Sequence, residues 1–247
     1  MKEKAKEVPK KKKVAIVGFA LTKDQAPYDD PEFEVWTVNQ LYRFVPRQDR
    51  IFQLHKREGI ITANSHGGDG EKHIEELKAM DIPIYMQERH DDIPTSVKYP
   101  FEEMVQEFGI PRKGFAEKDA YFTNSISFMI ALAIHEGFEE IHVYGVDMAV
   151  NEEYHFQRPS CEYYLGIAMG RGIKVYLPPE SDLLRTRFTY AYEEEMEHAW
   201  KLKMDATLKH MKNQKTQVDT AIRNQQSVSD KYEGAIQAIL EMDKVWG

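Results

Sequence analysis

Apolar residues fall in short, dense runs over the first three quarters of the chain and in a helical repeat over the last quarter. Val14-Ala15-Ile16-Val17 is a continuous apolar run closed by Gly18, the signature of a strand buried on both faces of a parallel sheet. Glu34 to Asn39 and Arg50 to His55 read as further strands, each ending in a polar residue. Glu71 to Met80 reads as a short amphipathic helix. Ile82-Pro83-Ile84-Tyr85 reads as an edge-like strand, because proline cannot donate to a ladder. Thr123-Asn124-Ser125 opens a helix that Gly137 closes. The strand Ile141 to Tyr144 follows, running into Gly145-Val146-Asp147, and a second helix leads to a strand over Ile173 to Leu177. This βα alternation predicts a Rossmann-like, mostly parallel α/β sheet flanked by helices. Gly18, Asn39, His55 and Asp147 then share the carboxyl edge, where open α/β sheets take ligands.

From about Thr189 glycine and proline nearly vanish. Met204, Met211, Val218, Gln225, Tyr232, Ile239 and Trp246 repeat every seven residues. Leu208, Ile222 and Ile236 follow that line at four, and Ala221, Val228, Ala235 and Met242 at three. Such a repeat marks a helical seam and suggests a coiled coil. Lys215, Ser229 and Asp243 interrupt it. Two readings stand: a homo-oligomer through the C-terminal helices, or a helical hairpin turning at Asn224-Gln225-Gln226-Ser227. The expected organisation is a basic flexible tail over 1–13, a nucleotide-binding domain over 14–188 and a helical extension over 189–247.

Composition narrows the class. The chain has 247 residues, 42% of them hydrophobic, and no apolar run near the ~20 needed to span a bilayer. The single cysteine, Cys161, excludes an internal disulfide framework and a cysteine-based zinc site. It favours a reducing compartment, hence a cytoplasmic location. A formal charge of −8 argues against nucleic acid as a partner, the N-terminal lysine run excepted. There is no GxxxxGK[ST] loop, no GxGxxG, no GxSxG elbow and no HExxH pair. His66-Gly67-Gly68-Asp69-Gly70 reads as a flexible connection or a phosphate-facing loop.

The pairing of Asn39-Gln40-Leu41-Tyr42 with the Thr123 to Leu184 block resembles glycosyltransferase family 42, the bacterial sialyltransferases. It also resembles the related DUF115 group, which includes 6-hydroxymethylpterin diphosphokinase-like proteins. Asn124-Ser125-Ile126, Ala131-Leu132-Ala133-Ile134, Gly145-Val146-Asp147-Met148 and the closing Pro179 to Leu184 segment stand in the family's order. The likeness spans roughly residues 14 to 185. Uncharacterised phage-encoded proteins are a further association, which would place the chain in a host cytoplasm.

The resemblance implies a glycosyltransferase that takes a nucleotide-sugar donor and needs no metal. Asn39 and Gln40 would contact the nucleotide, within a pocket that also holds Gly18 and Thr22 of the first turn and Gly145. Asn124 and Ser125 would face a phosphate at a helix N-terminus, where free N–H groups and the helix dipole favour an anion. Tyr154 would hydrogen-bond the leaving phosphate. This chain departs from the family at Phe19 and Ala20 in the first turn and at Ala149 in place of a tyrosine. Tyr163-Tyr164-Leu165-Gly166 stands where the family carries its histidine. His55 and His155 are therefore the candidate bases, and Arg158 and Arg171 the candidate diphosphate partners beside a helix. Lys56 and Arg57 are candidate phosphate ligands next to His55. Asp147 would bind a ribose, cap a segment, or hold Mg²⁺ in the alternative of an ATP-dependent diphosphokinase. The remaining alternative is a non-catalytic nucleotide-binding or scaffold protein.

Overall fold

The computed structural model describes residues 12–62, 69–111, 118–148, 153–186, 189 and 196–246. The chain divides into two compact units, residues 1–185 and 186–247.

The first unit is built on nine strands: β1 (Lys13–Val17), β2 (Phe33–Val38), β3 (Arg50–Phe52), β4 (Ile84–Met86), β5 (Ser96–Lys98), β6 (Ile110–Pro111), β7 (Lys118–Asp119), β8 (Glu140–Tyr144) and β9 (Lys174–Tyr176). Its helices are α1 (Arg57–Thr62), α2 (Gly70–Lys78), α3 (Phe101–Phe108), α4 (Ser125–His135) and α5 (Arg158–Gly170). Seven strands form one sheet in the order β5-β4-β3-β2-β1-β8-β9, every neighbouring pair parallel, while β6 and β7 form a separate antiparallel ribbon. The α/β class expected from the apolar runs is the architecture observed.

β1 lies inside the sheet, between β2 and β8, because it can be buried on both faces. Val14, Ala15, Ile16 and Val17 all have no solvent exposure. Val14 and Ile16 join the core under α4 and α5 with Trp36, Phe52, Ile130 and Tyr164. Ala15 and Val17 face the opposite side with Val35, Leu41 and Tyr144. A third cluster under α1 and α2 gathers Ile51, Ile60, Ile74, Leu77 and Ile84. The strand order reverses between β1 and β8, so the topological switch point lies there.

Three local expectations are corrected. β4 is an interior strand, not an edge. Pro83 stands just before its ladder and contributes a carbonyl that accepts from Ile51 N–H at 3.0 Å, so its missing donor is never called for. The strand at Arg50 stops at Phe52, leaving Leu54 and His55 beyond it. Asn224 to Ser227 do not turn: the second unit carries one continuous helix, α6 (Met196–Trp246), of 51 residues.

The amino edge of the sheet is bolted by charge. Arg50 donates to Glu34, to both carboxylate oxygens of Glu136 at 2.7 and 2.9 Å, and to Tyr85 Oη at 2.8 Å, and its guanidinium lies 4.7 Å from the Trp36 ring centroid. One side chain therefore ties β3 to β2, to β4 and to the C-cap of α4. Lys13 pairs with Glu32, Lys174 with Glu140, and Arg171 with Glu107 near the same edge. Arg171 follows the C-terminal end of α5, at the opposite edge from the expected ligand site.

A buried polar chain pins α2. His73 Nε2 lies 2.9 Å from Gln53 Oε1, its Nδ1 lies 2.7 Å from Tyr42 Oη, and Tyr42 donates to Glu76 at 2.5 Å. The Gln53 oxygen accepts from the Nε2–H of the imidazole, and the Tyr42 hydroxyl lies between His73 Nδ1 and the Glu76 carboxylate. Burial, helped by Arg43, lowers the His73 pKa to about 4.

Candidate functional site

At the carboxyl edge the expected residues separate into two places. Around the switch point, Gly18 and Gly145 pack backbone to backbone. A Cβ on Gly18 would stand 2.4 Å from Gly145 O, and one on Gly145, whose φ is +63°, 2.2 Å from Gly18 O. Gly18 N–H donates to Tyr144 O at 2.8 Å and Ala20 N–H to Gly145 O at 2.9 Å. Thr22 is buried, and its hydroxyl accepts from Gly145 N–H at 2.7 Å. Gly18, Thr22 and Gly145, expected around a nucleotide, thus form a clasp joining β1 to β8. The glycines are required by turn-to-turn contact, not by the approach of a phosphate.

Asn39 and Asp147 flank this clasp. Asn39 opens a short turn, Asn39–Arg43, with φ +50°, and Gln40 stands half-buried in the same turn. Asn39 Oδ1 and Asp147 Oδ1 are buried with no hydrogen-bond partner among the described residues. Burial, then the charges of Asp182 and Glu180, hold the Asp147 carboxyl above the usual range. A buried acceptor without a donor costs on the order of 1–3 kcal/mol; Thr37 Oγ1 and Tyr164 Oη share this condition, and at the carboxyl edge a ligand could supply the missing donor.

The second place is an open cleft of about 830 Å³ at the carboxyl ends of β3, β4 and β5. Five segments line it: Leu54 and His55 after β3; Gln87, Glu88 and Arg89 after β4; Lys98 and Tyr99 at β5; Phe101 and Glu102 at the start of α3; and Phe122 to Ser125 with Phe128 at the start of α4. His55 and Arg89 are exposed and have no hydrogen bond or ion pair among the described residues, whereas Lys98 pairs with Glu102 at 3.3 Å. One wall is aromatic. Phe122 stacks on Phe128 at 4.3 Å and on Tyr164 at 4.8 Å, and Phe101, 41% exposed, lies 6.2 Å from Phe122.

α4 enters this cleft with its N-terminus. Asn124 is its N-cap, accepting from Ser127 N–H at 3.0 Å, while its amide donates to Gln157 O at 2.9 Å and lies 3.2 Å from Ser160 Oγ. The Asn124 side chain therefore holds α4 against α5. Ser125 remains at the helix end, where the first amide N–H groups have no intrahelical acceptor.

The other expected residues are not brought together with the cleft. Arg158 donates to Glu162 at 2.6 Å and to Arg185 O at 3.1 Å, so its charge is engaged inside its own unit, in place of the expected diphosphate. His155 is exposed in the helical turn Glu153–Gln157 and does not line the cleft. The side chain of Tyr154 lies outside the described residues, as do Ala149, His66 to Gly68 and the N-terminal lysine tail. Arg57 holds Asp92 through two bonds of 2.7 and 2.6 Å, which withdraws it from the phosphate role proposed with Lys56. Cys161 is buried, its thiol pushed up to about 12 by burial, and is unreactive. Among the described residues no group of three or more His, Cys, Asp or Glu could hold a metal ion.

No family model matches the chain, and no curated protein matches it. Solved structures do. The sialyltransferase CstII from Campylobacter jejuni, in complex with cytidine-5'-monophosphate, is 16% identical; the match covers 78% of this chain and 99% of that one, with a TM-score of 0.44. The same enzyme with CMP-3FNeuAc gives 16% identity, the same coverage and a TM-score of 0.45. An alpha-2,3-sialyltransferase from Campylobacter jejuni in apo form gives 14% identity over 84% of this chain and 99% of that one, with a TM-score of 0.43. These values describe distant likeness in the course of the chain and leave the chemistry to the residues of the cleft.

Proposed function

We propose that the protein is a nucleotide-sugar-dependent transferase of the glycosyltransferase type, working at the carboxyl edge of its sheet. The observation that carries this reading is the cleft. A helix N-terminus, a guanidinium and an imidazole that are unpaired among the described residues, and a stacked aromatic wall converge on one open volume of about 830 Å³. Each feature answers one part of such a donor. The N–H groups at Ser125 and the Arg89 guanidinium suit the phosphates. The Phe101–Phe122–Phe128 wall suits the flat base or the apolar face of a sugar. The partnerless oxygens of Asn39 and Asp147 suit hydroxyl donors on the ribose or sugar, with Gln40 beside them.

In the reaction, an acceptor hydroxyl oxygen attacks the anomeric carbon of the donor. A new C–O bond forms as the bond from that carbon to the nucleotide phosphate breaks, and the nucleotide leaves with the electron pair. In this reading His55 takes the hydroxyl proton, imidazole being the side chain most often used for such transfers. The charge that develops on the leaving phosphate is met by the α4 N-terminus and Arg89.

A thermal-shift panel of CMP, CDP, UDP, GDP, ADP and ATP with their sugar conjugates, each with and without Mg²⁺, tests the reading. Ligand at 100 times its Kd stabilises by ~2.7 kcal/mol, a shift of several degrees for a chain of this size. The expected result is a metal-independent shift with one nucleotide and its sugar conjugate, followed by nucleotide release on adding a hydroxyl acceptor. A shift that requires ATP and Mg²⁺ would replace transfer with diphosphokinase chemistry, and silence across the panel would leave a binding or scaffold protein.

A further inference from the structure

α6 cannot be explained as an isolated helix. It runs for 51 residues, about 76 Å, and carries an apolar stripe that stays in water: Leu208 is 52% exposed, Val218 56%, Ile222 60% and Ile239 65%. An exposed stripe of this length is an interaction surface. Its seam reads Met204, Leu208, Met211, Lys215, Val218, Ile222, Gln225, Ser229, Tyr232, Ile236, Ile239, Asp243, with steps of four and three throughout. That is the spacing of knobs-into-holes packing between two helices.

The polar interruptions identify the partner and its direction. Gln225 and Ser229 occupy the middle of the seam, with Lys215 on one side and Asp243 on the other. In a parallel pair of identical helices every seam residue meets itself, so Lys215 would face Lys215 and Asp243 would face Asp243. In an antiparallel pair centred near residue 227, Gln225 faces Ser229 of the second copy. Ile222 then faces Tyr232, Val218 faces Ile236, and Lys215 comes within one layer of Asp243. Lys215 then faces Ile239 and Asp243 faces Met211, which puts the two opposite charges in adjacent layers, while Gln225 and Ser229 share the central layers and apolar pairs fill those between. We infer that α6 pairs with α6 of a second copy of this chain as an antiparallel coiled coil in this register. In the single chain Lys215 is 76% exposed and reaches only its helix neighbour Asp219, at 2.6 Å, so it is available to cross the interface.

Light scattering of the full chain gives the first result, expected at twice 28.8 kDa. Direction is read from single cysteines, the native Cys161 being buried. In the antiparallel register Val218→Cys lies about 27 Å along the axis from its own copy, far outside disulfide range. Val218→Cys and Ile236→Cys should therefore each fail to cross-link alone on oxidation, and should cross-link when co-expressed. Lys215→Glu should weaken the dimer, and adding Asp243→Lys should restore it, with unit 1 melting unchanged in every variant. A monomer at all concentrations, or a Val218→Cys variant that cross-links by itself, would overturn the inference; so would a failure of Asp243→Lys to rescue Lys215→Glu.

Discussion

The two edges of the sheet are built on opposite principles. At the amino edge the charges are matched: Arg50 with Glu34 and Glu136, Lys13 with Glu32, Lys174 with Glu140, Arg171 with Glu107. At the carboxyl edge His55 and Arg89 stand without partners among the described residues, and Asn39 Oδ1 and Asp147 Oδ1 are buried without donors. Charges are paired at the carboxyl edge too, Lys98 with Glu102 and Arg57 with Asp92, but among the described residues His55 and Arg89 are not. Polar groups are left open at a cost, and that cost is tolerated where a ligand completes them. The amino edge ties the strands and α4 together, and the carboxyl edge is where the proposed function is located.

The sharpest break of this contrast is Arg50→Ala. It strands two carboxylates with little solvent, so about 3–5 kcal/mol of stability should be lost in urea unfolding, with ligand affinity unchanged. A loss below about 1 kcal/mol would mean that the amino edge is not bolted at Arg50.

His73 comes next. Its folded pKa, about 4, lies below the ordinary value of about 6.5, so its stabilisation is complete above pH 6.5 and disappears as the pH falls from there to 4. A loss of about 3 kcal/mol across that window is expected, and His73→Asn should remove this limb of the profile. Thr22→Val deprives the buried Gly145 N–H of its acceptor and should cost about 2 kcal/mol, again without touching affinity. If it weakened nucleotide binding first, the clasp would belong to the ligand site after all.

Arg89→Ala is the smallest in stability and the most telling in function. The side chain is exposed and without a partner, so unfolding should move by less than about 0.5 kcal/mol. Loss of one charge-assisted contact should nevertheless raise the nucleotide Kd roughly tenfold, read by titration calorimetry.

Much of the frame was legible in the chain. Val14 to Val17 and Ile141 to Tyr144 announce buried parallel strands, and Asn124 announces the start of α4, because continuous β-branched runs and caps are local signals. β5 was not legible: Ser96-Val97-Lys98 is too short and too mixed to show a period, and its place comes from pairing with β4. The cleft was legible only through His55 and the α4 start. Arg89, Lys98, Phe101 and Phe122 come from four separate segments that meet because β4 and β5 end, and α3 and α4 begin, at the same edge, a fact of topology without a motif. The glycines misled for a physical reason. A glycine after a parallel strand marks close backbone approach, and Gly18 approaches Gly145.

The pairing of β1 with β8 also sets an order of events during synthesis. Lys12 and Glu139, which meet at the start of these strands, are separated by 127 positions. At ribosomal speeds roughly 6–25 s pass between the emergence of the two, while β2 is at hand almost at once. The nascent chain must carry its most apolar strand with one flank unpaired for that interval. Chaperone demand should therefore concentrate on this window, and truncations that end before Tyr144 should aggregate where those that end after Tyr176 do not.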